Sequence, residues 1–148
     1  MPRTYAWRPT TSGLTYVFDI DKNVGANALN RRPDVLLIQW MLAQWMASSK
    51  EPELIALIIN GKAPTVKVDG ICGPKTIGAI RTLEEVNPQV VKDGRVDPLN
   101  TINSKASKLQ LLNELMSFAG AMKGFVPNSR AGGGIPFPQE IVPELFRP

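Results

Sequence analysis

VDGICGPKTIGAI, residues 68 to 80, holds the turn and helix start around which the rest of the chain can be organised. Asp69 and Gly70 suit a tight turn. The Asp carboxylate accepts a nearby backbone N–H, and Gly adopts a positive φ that a Cβ would resist. Ile71 is apolar and placed to plug the core from the loop. Gly73 again supplies backbone freedom, and Pro74 pre-sets φ for a first helical position, where its missing N–H costs nothing. Thr76 then falls in the first turn, and Ile77, Ile80, Leu83 and Val86 follow at helical spacing. The stretch predicts a loop that turns sharply into a helix from Pro74 to about Val86.

The chain says nearly the same thing again in DGRVDPLNTI, from Asp93. Both phrases read Asp-Gly, two residues, Gly or Asp, then Pro. The second predicts another loop-to-helix turn, ahead of a helix from about Ser104 to Gly124. Upstream, DVLLIQWMLAQWMAS (34–48) is the strongest helix in the sequence, with a start signal in Asn30 or Asp34 near Pro33. It is apolar almost all the way round, broken only by Gln39 and Gln44, whereas a surface helix shows one apolar stripe. A central core helix is the first expectation. The sharper one has Trp40, Met41 or Trp45 facing outward to stack on sugar rings or a partner. Trp40 and Trp45 point about 140° apart on a helix, so only one of them fits any single platform. PELIALIING (52–61) reads as a further helix with Gly61 as its C-cap. LTYVFDI (14–20) reads as a short strand.

The phrase DGICGPKT, residues 69 to 76, resembles the signature of the peptidoglycan-binding-like domain, a three-helix module appended to many autolysins, amidases and phage lysins. NRRPDVLLIQWMLA looks like that family's first helix, with Val35 and Gln39 in its Val-x-x-x-Gln pattern. The second phrase fits the same family. Cys72 stands where the family usually carries a larger apolar or aromatic residue. The resemblance implies a mainly α fold: a small helical bundle of the peptidoglycan-binding-like type, with a short N-terminal strand and an extended C-terminal arm. Residues 1–29 are then an N-terminal arm and strand, 30–124 the helical domain, and 125–148 the arm, which holds Gly132-Gly133-Gly134 and several prolines. It also implies a shallow ligand groove shaped by Asp69, Gly70, Gly73, Pro74 and Thr76, with Gln39 as a buried brace for the loop. Trp40 joins these as a candidate ligand contact.

Composition narrows the chemistry. The 148 residues contain no histidine and one cysteine. Histidine-based triads, histidine zinc sites, intramolecular disulfides and thiolate-rich metal sites are thereby excluded. Cys72 has no basic neighbour in sequence and reads as a small hydrophobe rather than a reactive thiol. Asp19, Asp21 and Asn23 begin like a calcium loop, but Val24 and Asn30 occupy the positions that need Gly and an acid. No metal or other cofactor is expected. Glu84 and Glu85 diverge by about 100° on a helix, and Asp93 and Asp97 have capping work in their turn, so no paired carboxylates of a glycosidase are expected. The net charge of +4 favours acidic partners, but the basic residues are scattered, and nucleic-acid binding is not expected. No apolar run suffices for membrane insertion. The N-terminus lacks a signal-peptide pattern, so synthesis in the cytoplasm is expected, with delivery to the wall by a secretion machine, a phage particle or lysis.

These readings lead to a non-catalytic module that binds peptidoglycan or its stem peptides. The alternative is a structural protein of a phage tail or secretion apparatus that reuses the helical scaffold to bind protein partners. Its C-terminal arm, with IPFPQEIVPELF (135–146), either packs back on the domain or docks on a partner.

Overall fold

The computed structural model describes residues 3–7, 15–48, 52–61, 65–86, 90, 92–97 and 138–141. These include three α-helices: α1 (Arg32–Ser48), α2 (Pro52–Ile59) and α3 (Pro74–Val86). The protein is mainly helical, as expected. The helix expected over 104–124 and the triple glycine lie outside the described residues.

Helix α1 is the centre of the described structure. Every residue from Asp34 to Trp45 is buried, so the lack of a polar stripe in its sequence reflects contact on all sides. Its first backbone bond runs from Val35 N–H to the Arg31 carbonyl, which places the start at Arg31 rather than at Asn30 or Asp34. Both of those residues instead tie down the preceding loop. The Asp34 carboxylate accepts the N–H groups of Asp21 (3.0 Å) and Lys22 (3.1 Å). Asn30, at φ 51°, exchanges bonds with both the N–H and the carbonyl of Gly25.

Helix α3 lies against α1 and α2. Of the residues read at helical spacing, Ile80 and Leu83 are buried and Ile77 and Val86 half-buried, with Ala79 buried beside them. It runs unbroken through Gly78. Helix α2 ends at the expected cap, with Gly61 at φ 66° and Asn60 N–H bonded to the Ala56 carbonyl.

Two short sheets complete the described structure. The expected strand appears as β2 (Thr15–Asp19), and residues 3–7, expected to be an irregular arm, form β1 (Arg3–Trp7) antiparallel to it, with Arg3 opposite Asp19. The second sheet is a two-residue bridge between β3 (Val24–Gly25) and β4 (Arg95–Val96), with Val24 opposite Val96. Only glycine fits at position 25: its φ is 131°, and a Cβ there would run into the Gly94 carbonyl oxygen.

The second phrase therefore contains β4, and the helix expected after it lies outside the described residues. A two-residue strand carries no alternation to read, so no pattern announces it. The described part of the C-terminal arm packs back on the domain. A 3-10 turn over Gln139–Ile141 lies against α1, with Ile141 fully buried in the core.

Candidate functional site

The Asp69–Gly70 turn is held from below by α1. Gln39 is fully buried, and an amide in an apolar helix must find partners for both its ends. It finds them all in this loop and the start of α3. Its Oε1 accepts the N–H groups of Asp69 (3.1 Å) and Gly70 (2.8 Å). Its Nε2 donates to Asp69 Oδ1 (3.1 Å), the Ile71 carbonyl (2.9 Å) and Thr76 Oγ1 (3.0 Å). The brace expected of Gln39 is thus present, and it joins loop, helix start and core in one network. Asp69 Oδ1 also accepts Ile71 N–H (2.9 Å), and Gly70 has a φ of 79°. The Ile71 N–H, and after it the Gln39 amide, hold the Asp69 carboxyl below its ordinary pKa.

Above this turn lies an open groove of about 770 Å³, lined by Thr65, Val66, Lys67, Asp69, Ile71, Gly73, Pro74, Lys75 and Thr76. Four of the expected ligand residues, Asp69, Gly73, Pro74 and Thr76, border it. Gly70 and Gln39 are buried beneath the turn and shape it without facing the groove. Trp40 requires correction: it is 1% exposed within the core and offers no stacking platform, and Trp45 is equally buried. The side of α1 that carries Trp40 is covered by neighbouring elements, a fact set by tertiary packing and not by helical spacing.

Ile71 is also corrected. It does not plug the core; it is 68% exposed and forms an apolar wall of the groove. Lys67 and Lys75 are exposed at the groove, and the sequence reading did not single them out. Their signal was available only in part: Lys75 lies inside the phrase, but Lys67 acquires its place from the loop's path. Gly73 is not in the left-handed region, and a Cβ there would meet open space. The fold does not demand glycine at 73, so its smallness matters only to what enters the groove.

The second phrase repeats the first turn with a different brace. Gly94 N–H donates to Glu84 Oε1 (2.8 Å), as Gly70 N–H does to Gln39 Oε1. Asp93 Oδ1 accepts Arg95 N–H (3.0 Å), as Asp69 Oδ1 accepts Ile71 N–H. Gly94 has a φ of 71°. Glu84 is therefore a structural carboxylate, 2% exposed. Burial pushes its pKa up, which the Gly94 N–H only partly opposes.

Burial likewise raises the Cys72 thiol, with a backbone N–H of Gly25 pulling the other way. That environment suits a packed small side chain rather than a nucleophile. Through Gly25 the two phrases meet, since the same residue contacts both Cys72 and the Gly94 turn. Among the described residues no helix is long and apolar enough to cross a membrane.

No family model, curated protein or solved structure matches this chain.

Proposed function

We propose that the protein is a non-catalytic peptidoglycan-binding module, built on a helical bundle of the peptidoglycan-binding-like type, that engages the wall through the groove over the Asp69–Gly70 turn. The observation that carries this reading is the braced turn itself. Six of the eight residues that resemble the wall-binding signature, all but Gly70 and Cys72, border one groove, and Gln39 holds the turn from below. A rigid concave wall loses little freedom on binding. Lys67 and Lys75 flank the groove with positive charge suited to the carboxylates of stem peptides, and Ile71 and Pro74 give apolar contact.

The test is co-sedimentation of the purified protein with insoluble peptidoglycan sacculi at low and at roughly physiological salt. Retention at the higher salt is expected, because loose charge attraction is screened there. Gly73→Leu fills the groove and Lys75→Glu reverses its charge, and both are expected to abolish retention while the protein stays folded. Equal retention of wild type and both variants would remove the groove from the function.

A second reading has one observation in its favour. Ile55 and Ile59 lie one turn apart on α2 and are 40% and 77% exposed, as suits a contact with another protein. In that case the sacculi retain nothing, and the module serves as part of a larger assembly.

A further inference from the structure

Arg32, in the first turn of α1, holds two parts of the chain at once. Its Nε and Nη2 donate to the two carboxylate oxygens of Glu140, at 2.8 and 2.9 Å. Its Nη1 donates to the Asp69 carbonyl at 2.8 Å. The guanidinium also lies across Gly70, where an added Cβ would stand 2.9 Å from Arg32 Cζ. Beside it Ile141 is fully buried in the core cluster, and Ile141 N–H bonds the Pro138 carbonyl to close the 3-10 turn.

We propose that the C-terminal segment 138–141 is a detachable strap whose docking, relayed by Arg32 as a positioning residue, fixes the groove wall at Asp69–Gly70 and so controls ligand binding there. This rests on the groove being the wall-binding site. Two states define the device. In the docked state the fork of Arg32 is closed on Glu140, and its remaining N–H is aimed at the Asp69 carbonyl. In the undocked state Ile141 leaves its pocket and the guanidinium turns to water. The turn then keeps the Gln39 bonds but loses its outer restraint.

The strap is suited to release. Its anchors among the described residues include the Ile141 side chain and an ion pair whose partners are each about half exposed, a contact that solvent weakens. Coupling is reciprocal: whatever the docked strap adds to ligand affinity, the bound ligand adds to strap docking. Because the ion pair is exposed, the effect belongs at or below the low end of such couplings, about two- to fivefold.

The experiment uses the full chain and three variants: Ile141→Asp, which ejects the buried anchor, Glu140→Ala, and Arg32→Lys, whose ammonium cannot fork to Glu140 and reach Asp69 together. Amide hydrogen exchange at Gly70 and Ile71 is read first, without ligand. Glu140→Ala and Arg32→Lys are expected to speed exchange there about two- to fivefold while the amides of α1 residues 37–42 are unchanged, and Ile141→Asp to speed it at least as much. Sacculus binding is then titrated, and affinity should fall by a similar factor. Unchanged exchange at the turn overturns the strap. Faster exchange with unchanged sacculus affinity overturns its control of the site. If the wild type binds no sacculi, the wall-binding reading fails, while the exchange data still decide whether strap and turn are coupled.

Discussion

Gln39 and Glu84 do the same task with different chemistry, because one turn is built twice with an amide beneath one copy and a carboxylate beneath the other. Removing Gln39 leaves the Gly70 N–H and the Thr76 hydroxyl without their buried partner, while the Asp69 N–H keeps the Lys67 carbonyl at 3.2 Å. At about 1–3 kcal/mol for an orphaned buried group, Gln39→Ala should lower unfolding free energy by about 3 kcal/mol in urea titration. Glu84→Gln should behave oppositely. Its amide oxygen still accepts Gly94 N–H, and its NH₂ can donate to the Asp93 carboxylate that Glu84 faces.

The sign of the pH effect follows from burial. The Glu84 pKa is raised in the folded state from 4.5, so between 4.5 and the raised value the native protein holds more protons than the unfolded one. This contribution to stability is present below 4.5 and is lost as pH rises through the window. Stability measured across pH 4 to 8 should therefore lose part of that decline in Glu84→Gln, with no loss at neutral pH. A steeper decline, or destabilisation at pH 7, would contradict the assignment. The glycines separate in the same way. At Gly25 a side chain meets the backbone oxygen of Gly94, whereas at Gly70 the nearest atoms belong to the Arg32 side chain. Both substitutions to Ala carry φ strain of about 1–3 kcal/mol, and Gly25→Ala should be the more destabilising of the two by thermal denaturation.

Among the elements, α1 and α3 are legible in the sequence and the bridge between β3 and β4 is not. Pro74, with Thr76 and the Ile77–Ile80–Leu83 spacing, fixes α3 through local chemistry that survives in any context. Gln39 is legible too, because a lone amide in an apolar helix has to be braced by something. The residues that read wrongly share a physical cause. Ile71 sits on a short loop where hydrophobicity gives no direction, and Trp40 lies on a helix whose every face is apolar, so neighbours alone decide its side. Val24 and Val96 pair across about half of the chain with no periodic signal, and Ile141 is a single aliphatic residue among several in the tail. The helices also differ in what a substitution costs. Leu37→Ala within α1 should cost about 2–5 kcal/mol as a cavity in the fully buried core, while Ile59→Ser on α2 should stay within about 0.5 kcal/mol, both read by urea titration.

Taken together, the described parts converge on α1: the loop tied by Asp34, the first turn braced by Gln39, and the strap held by Arg32. A ligand in the groove over the first turn would thus press on a backbone fixed from the core side and, through Arg32, from the tail. The net charge of +4 acts on the molecule as a whole, and it should speed encounter with an anionic polymer at low salt without setting the affinity that remains at higher salt.

The bridge between β3 and β4 has a consequence in time. It joins the loop ahead of α1 to the turn beyond α3, so forming it early would mean closing about half of the chain into a ring before local structure could repay the lost entropy. Helices α1 and α3 can meet first, and the Val24–Val96 pair is then the clasp that shuts afterwards. A clasp of this kind governs departure more than arrival: Val96→Ala should speed unfolding in stopped-flow denaturant jumps and leave the refolding rate nearly unchanged. The two residues that close the ring are thereby the timekeepers of how long the folded protein lasts.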